Sequence, residues 1–136
     1  MKKKILVVED EPAVASLITF LLARAGYEVE NAFNGTRGLE LGTTQKFNLI
    51  LLDVDLPGIN GFDICRELKQ RWICHCTPIV FLSGNALEKR RTKALELGAA
   101  DFIPKPFIVE DFMERIALHI SSAETSGTAT SPGQLV

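Results

Sequence analysis

Leu49-Ile50-Leu51-Leu52, entered from Asn48, is an unbroken apolar run that ends in an acid, Asp53. The turn-rich Leu56-Pro57-Gly58 and Asn60-Gly61 follow it. Apolar at successive positions, the run describes a strand buried on both faces, as in a parallel sheet covered by helices. Its last residue therefore emerges at the carboxyl rim, where open α/β sheets bind their ligands. Lys4-Ile5-Leu6-Val7-Val8 has the same character and runs into Glu9-Asp10-Glu11. Two strands thus deliver carboxylates to one rim, and Lys105 follows a third. That combination suggests a cation site beside a nucleophilic carboxylate.

Strand and helix patterns alternate five times. The strands are expected at Lys4–Val8, Glu28–Ala32, Leu49–Asp53, Pro78–Leu82 and Ala100–Ile103. The helices are expected from Pro12 to about Ala25, Gly35 to Leu41, Gly61 to Arg71, Ala86 to Leu97 and Val109 to about Ile120. Val14, Leu17, Ile18, Leu21 and Leu22 make one apolar helical face. Gly26, Gly42 and Gly98 sit where helix ends favour glycine. Such alternation implies right-handed parallel crossovers and a doubly wound three-layer α/β sandwich. Residues 1–120 make one domain. From Ser121 to Val136 the chain is poor in apolar residues and rich in Ser, Thr and Gly, which reads as a disordered tail or truncated linker.

The length of 136 residues suits a single core, and a net charge of −2 gives no basic surplus that would draw nucleic acid. Met1-Lys2-Lys3-Lys4 enters a strand too short for a signal peptide or a membrane span, so a cytoplasmic protein without membrane partners is expected. Three cysteines, an odd number, build no disulfide framework. Cys74-His75-Cys76 with Cys65 lacks the spacing of structural zinc sites and reads as a loop with reduced thiols.

If the first and third strands are neighbours, Glu9, Asp10 and Asp53 lie together and repel unless a cation joins them. Mg²⁺ suits such a set, because it takes oxygen ligands and often binds one or two carboxylates plus a phosphate. Helix capping by Asp10 is the competing explanation, but it leaves Glu9 and Asp53 unaccounted for. Ser83-Gly84, after the fourth strand, offers a hydroxyl in open space. Lys105, between Pro104 and Pro106, offers a point charge, and a cis Lys105–Pro106 bond could aim it inward.

Together, Glu9-Asp10, Asp53 with Leu56-Pro57-Gly58, Ser83 and Lys105-Pro106 resemble the receiver domain of bacterial two-component response regulators over about residues 3–120. The resemblance implies a CheY-like, flavodoxin-like fold with strand order 2-1-3-4-5. It implies that Asp53 accepts a phosphoryl group from a histidine kinase or histidine phosphotransfer protein. Asp10 would ligate Mg²⁺ directly, Glu9 through water, and the Asp55 backbone carbonyl would complete the protein ligands alongside Asp53, with Mn²⁺ able to substitute. Ser83 would hydrogen-bond the phosphoryl group and Lys105 would pair with it. Phe102 stands at the family's aromatic switch position, expected to turn inward as the Ser83 hydroxyl is drawn to the phosphate.

The chain has Ser at 83 and Gly at 84 where Thr and Ala are commoner, and Phe102 lacks the hydroxyl of a tyrosine. Asp55 and Asn85 occupy positions that modulate phosphoryl lifetime in the family. Lys89, Arg90, Arg91 and Lys93 make the fourth helix basic, a pattern that equally describes a solvated face. Arg91, Asp101, Asp111 and Arg115 match positions where one subfamily forms intersubunit ion pairs, although Leu97 and Ala100 do not. A downstream effector, or a phosphorylation-promoted homodimer through the face of the fourth helix, fifth strand and fifth helix, is therefore expected. No enzyme turning over a separate substrate is expected. Two rivals remain: a degenerate receiver that binds a partner without phosphorylation, and a haloacid-dehalogenase-like phosphatase suggested by Asp53-Val54-Asp55. In the second, Pro57 breaks the motif and the acids precede the nucleophile.

Overall fold

A computed structural model describes residues 2–85 and 87–129. Strand and helix alternate throughout: β1 (Lys4–Val8), α1 (Pro12–Arg24), β2 (Glu28–Ala32), α2 (Gly35–Thr44), β3 (Leu49–Asp53), α3 (Gly61–Lys69), β4 (Ile79–Ser83), α4 (Glu88–Glu96), β5 (Asp101–Pro104) and α5 (Val109–Ala129). The strands form one parallel sheet in the order β2-β1-β3-β4-β5. This is the expected doubly wound fold.

Successive strand residues point to opposite faces, and both faces are covered. Leu6, Val8, Ile50, Leu52, Phe81 and Phe102 pack with Leu41 of α2, Ile64 and Leu68 of α3 and Ala94 of α4. Ile5, Val7, Leu49, Leu51, Val80, Leu82 and Ile103 meet Ile18 and Leu22 of α1 and Phe112, Ile116 and Ile120 of α5. All five residues of β3 and all five of β4 are buried, which is why those runs are continuous in apolar character. Truncating one such leucine to alanine costs about 2–5 kcal/mol.

Register turns this core into a site. Val8 pairs with Leu52, Asp53 with Leu82, and Ser83 with Pro104. Glu9, Asp53, Ser83 and Lys105 therefore leave neighbouring strands along one rim.

Two helices run past their expected ends, and the other boundaries agree within about two residues. Gly42 does not end α2, which continues to Thr44. A Cβ at Gly42 would lie 2.8 Å from Leu68 Cδ2, so this glycine serves the close approach of α2 to α3 rather than a helix stop. Gly26 and Gly98 do adopt the left-handed conformation expected after their helices, with φ of 98° and 95°. The helix α5 runs to Ala129, so residues 121–129, expected to lack structure, are helical. An established helix extends at low cost even through weak formers, so composition alone does not mark its end. Residues 130–136 of the expected tail lie outside the described residues, as does Ala86, the expected start of the fourth helix.

Cys65, Cys74 and Cys76 are free, and the first two are buried. Burial pushes the Cys65 thiol up to about 11, leaving it protonated and inert at neutral pH. Among the described residues no helix is long and apolar enough to cross a membrane.

Candidate functional site

Glu9, immediately after β1, is fully buried, and its Oε2 accepts the backbone N–H of Glu11 at 3.2 Å. Asp10 is half-buried beside it. Asp10 is not the cap of α1: that position is Glu11, whose side chain makes no capping hydrogen bond. Asp53, 2% exposed at the end of β3, accepts the Asp55 N–H on Oδ1 at 3.1 Å. Carboxylate oxygens of Glu9, Asp10 and Asp53 all lie within 4.8 Å of one another. It is the one group of metal-ligating side chains that converges among the described residues.

The α3 helix closes one side of this pocket. Its first residue, Gly61, donates its N–H to the Val54 carbonyl at 2.9 Å. A Cβ at Gly61 would collide with the carbonyl oxygen of Asp53 and lie 2.8 Å from Val54 Cα. Asn60 caps the helix by accepting the Asp63 N–H.

From the other side comes Lys105, whose bond to Pro106 is cis. Its Nζ donates to Glu9 Oε1 at 3.0 Å and Asp53 Oδ2 at 3.4 Å, and lies 3.5 Å from Glu11 Oε1. Burial alone would lower its pKa. The hydrogen bond to Glu9 and the charges of Asp53, Glu9 and Glu11 outweigh burial and raise it.

A single ammonium does not neutralise the cluster. Burial, reinforced by the charge of Asp53, pushes Glu9 up to about 7 against the opposing pull of Lys105 and the Glu11 N–H. An all-oxygen donor set, buried and short of positive charge, fits a hard divalent cation.

Ser83 ends β4 and Phe102 lies within β5. The fully buried Ser83 donates its hydroxyl to the Asn85 carbonyl at 2.8 Å and accepts the Asn85 N–H at 3.1 Å. The Phe102 ring is already buried, at 1% exposure, while that hydroxyl is held by Asn85.

Arg90 is the residue that sequence reasoning missed. Its Nη2 lies 2.6 Å from Asp55 Oδ1 and its Nη1 3.1 Å from Asp55 Oδ2, while Nη1 also reaches Ser83 Oγ at 3.0 Å. The Arg90 hydrogen bond holds the Asp55 carboxyl below its ordinary range. With Asp10, Asp55, Asn60 and Phe62, Arg90 lines a groove of about 470 Å³ at the rim. Two other cations of α4 are also engaged: Arg91 donates to the Phe102 carbonyl at 3.1 Å, and Lys93 sits 4.8 Å from the Phe62 ring centre. Much of the basic character of α4 is thus turned onto the domain itself.

On the far side of β5, Asp101 and Asp111 both pair with Arg115 within the chain, each at 3.1 Å. His119 Nε2 lies 2.9 Å from Asp101 Oδ2.

An acidic rim pocket with a cis-linked lysine, on a sheet of this order, defines a class of protein. Residues 5–117 match the profile of the response regulator receiver domain, and the chain belongs to that family. The chain is 35% identical over 130 residues to the alkaline phosphatase synthesis transcriptional regulatory protein PhoP of Bacillus subtilis, covering 96% of itself and 53% of that protein. It is 39% identical over 113 residues to the response regulator ArlR of Staphylococcus saprophyticus, covering 83% of itself and 50% of that protein. The chain therefore spans about half the length of these curated relatives. Among solved structures, the CheY-like receiver domain protein of Methanospirillum hungatei superposes with a TM-score of 0.87 at 28% identity, over 93% of this chain and 99% of that one. The receiver domain of the sensor histidine kinase PA1611 of Pseudomonas aeruginosa, solved with magnesium in its active-site cleft, gives 0.82 at 29% identity, over 89% and 99%.

Proposed function

We propose that this domain is the phospho-acceptor switch of a two-component phosphorelay, with Asp53 taking a phosphoryl group from a histidine kinase or histidine phosphotransfer protein. The observation that carries the reading is the cluster of Glu9, Asp10 and Asp53 oxygens within 4.8 Å, with the Lys105 ammonium paired to Glu9 and Asp53. Asp10, Asp53 and the Asp55 backbone carbonyl would hold Mg²⁺, or Mn²⁺ in its place, with Glu9 acting through water. The bound ion would supply positive charge to the phosphoryl oxygens as charge develops on them.

A carboxylate oxygen of Asp53 forms the new bond to phosphorus as the bond to the donor imidazole breaks, giving an acyl phosphate. Lys105, already against Asp53, is positioned to pair with the transferred group. Ser83 donates its hydroxyl to a phosphoryl oxygen, and Phe102 responds as the switch residue. The domain promotes only its own phosphorylation and dephosphorylation. It acts in the cytoplasm, without binding nucleic acid or membrane itself, on residues 1–120, with the remainder as a connection or tail.

The output is the face of α4, β5 and α5, offered to an effector or to a second copy. Arg91, Asp101, Asp111 and Arg115 would exchange their present partners for intersubunit ones. Sedimentation with and without beryllofluoride reads this directly, and an unchanged mass at micromolar concentration counts against the homodimer.

Incubation with acetyl phosphate and Mg²⁺ should add the mass of one phosphoryl group, and Asp53→Asn should abolish that gain. Absence of any gain in the parent chain supports a phosphorylation-independent binding module. Sustained turnover of p-nitrophenyl phosphate supports a phosphatase.

A further inference from the structure

We propose that Arg90 is a positioning residue that ties α4 to the phosphoacceptor pocket, holding the Ser83 hydroxyl in its resting contacts until phosphorylation of Asp53 draws it away. The inference rests on the phospho-acceptor reading above and adds a residue to it.

Hydrogen-bond capacity is the first argument. A serine hydroxyl has one proton and two lone pairs. Here the proton goes to the Asn85 carbonyl, and the oxygen accepts from the Asn85 N–H and from Arg90 Nη1. The hydroxyl is saturated. To donate to a phosphoryl oxygen it must withdraw its only proton from Asn85 and turn it into a direction now filled by one of its two donors, the Asn85 N–H or Arg90. In this proposal the displaced direction is that of Arg90, so that the phosphoryl group and Arg90 compete for one hydroxyl.

Anchoring is the second. The guanidinium is planar, and both of its terminal nitrogens are fixed on Asp55 in a bidentate pair. Its position over Ser83 is thus set by the loop after β3, the segment that also carries Asp53. The third concerns α4. Its N-cap residue, Leu87, makes no side-chain capping hydrogen bond. Arg90 lies in the first turn of the helix, its own N–H bonded to the Leu87 carbonyl at 3.0 Å. Asn85 Oδ1 accepts the Leu87 N–H at 3.2 Å, and the Arg90 side chain adds the tie that runs from this turn to Ser83 and Asp55. Release of Ser83 would be felt at the start of α4, one of the elements of the output face.

Removing Arg90 alone would leave Asp55 unpaired beside the phosphoryl site, so the test is run both in the parent chain and in an Asp55→Asn background, where Oδ1 can still accept from Arg90 and no unpaired charge is left once Arg90 is removed. Beryllofluoride is titrated at saturating Mg²⁺ and followed by amide resonances. Adding Arg90→Met, which keeps the aliphatic stem, should tighten beryllofluoride binding about threefold to tenfold, because a contact made only in the resting state is lost. The Ser83 and Asn85 amides should also shift in the resting chain, before any ligand is added. In a Ser83→Ala background the same Arg90→Met step should change affinity little. Equal or weaker binding after Arg90→Met overturns the proposal, as does an undiminished effect without the Ser83 hydroxyl. If the wild-type chain takes up no beryllofluoride, the phospho-acceptor reading falls, whereas binding with no response to Arg90→Met removes only the role of Arg90.

Discussion

Glu9 and Asp101 are both carboxylates at strand ends of the same sheet, held by basic side chains, and their environments drive them in opposite directions. Glu9 shares one lysine with Asp53 and Glu11, and burial pushes it up to about 7. Asp101 has His119 and the Phe102 N–H and shares Arg115 with Asp111; burial would raise it, but these partners outweigh burial and hold it below the ordinary range. Of the two, the first is under-compensated and suited to taking on a cation. The second is already complete within the chain. Counting acids near a rim does not separate a binding site from a structural ion pair; the balance of charge around each one does.

The largest expected effect that tests this contrast is metal binding. If the rim pocket is short of positive charge, Mg²⁺ at about 100 times its dissociation constant should stabilise the fold by about 2.7 kcal/mol. Thermal unfolding with and without Mg²⁺ measures it, and Asp10→Asn should shrink the shift. No shift in the parent chain would place the rim in the same category as the Asp101 cluster.

Next in size is the pH dependence of the metal-free protein. Glu9 has a folded-state pKa of about 7 against 4.5 for the unfolded chain. Its protonation therefore favours the fold fully below pH 4.5, and that contribution disappears as pH rises through 7. Glu9→Gln should raise metal-free stability at pH 8 by on the order of 2 kcal/mol. Denaturant titrations at pH 5 and pH 8 decide it: an unchanged or lower stability at pH 8 would mean that Lys105 compensates Glu9 fully.

The smallest effect has the opposite sign. Asp101→Asn should destabilise by about 1–2 kcal/mol at neutral pH. Because the folded pKa of Asp101 is depressed, its contribution is present above the unfolded value of 3.8 and fades as pH falls through the folded value. Loss of stability between neutral pH and pH 3 should accordingly be shallower in the variant. If Asp101→Asn stabilises as Glu9→Gln does, the contrast between the two sites is wrong.

Much of this molecule is legible in its sequence, because both-face burial leaves continuous apolar runs and parallel strands must deliver their ends to one rim. Glu9, Asp10, Asp53 and Lys105 are legible in this way, and in the structure they converge. What stayed hidden is contact between elements that no period encodes. Arg90 and Asp55 are separated by 35 positions, and the basic run around Arg90 reads equally well as a solvated helix face. Gly42 looked like a helix end, since a glycine needed for close packing and one needed for a left-handed turn are the same letter. The resting partners of the Ser83 hydroxyl depend on a rotamer, and composition says nothing about rotamers.

Gly61 brings a last consequence. Its missing side chain lets a helix start hard against the carbonyl of Asp53, so the rim pocket is shaped partly by an atom that is not there. An alanine there would add no charge and remove no ligand, yet it would have to shove that carbonyl aside. A scan that mutates only titratable groups would therefore overlook one of the tightest steric constraints on this pocket.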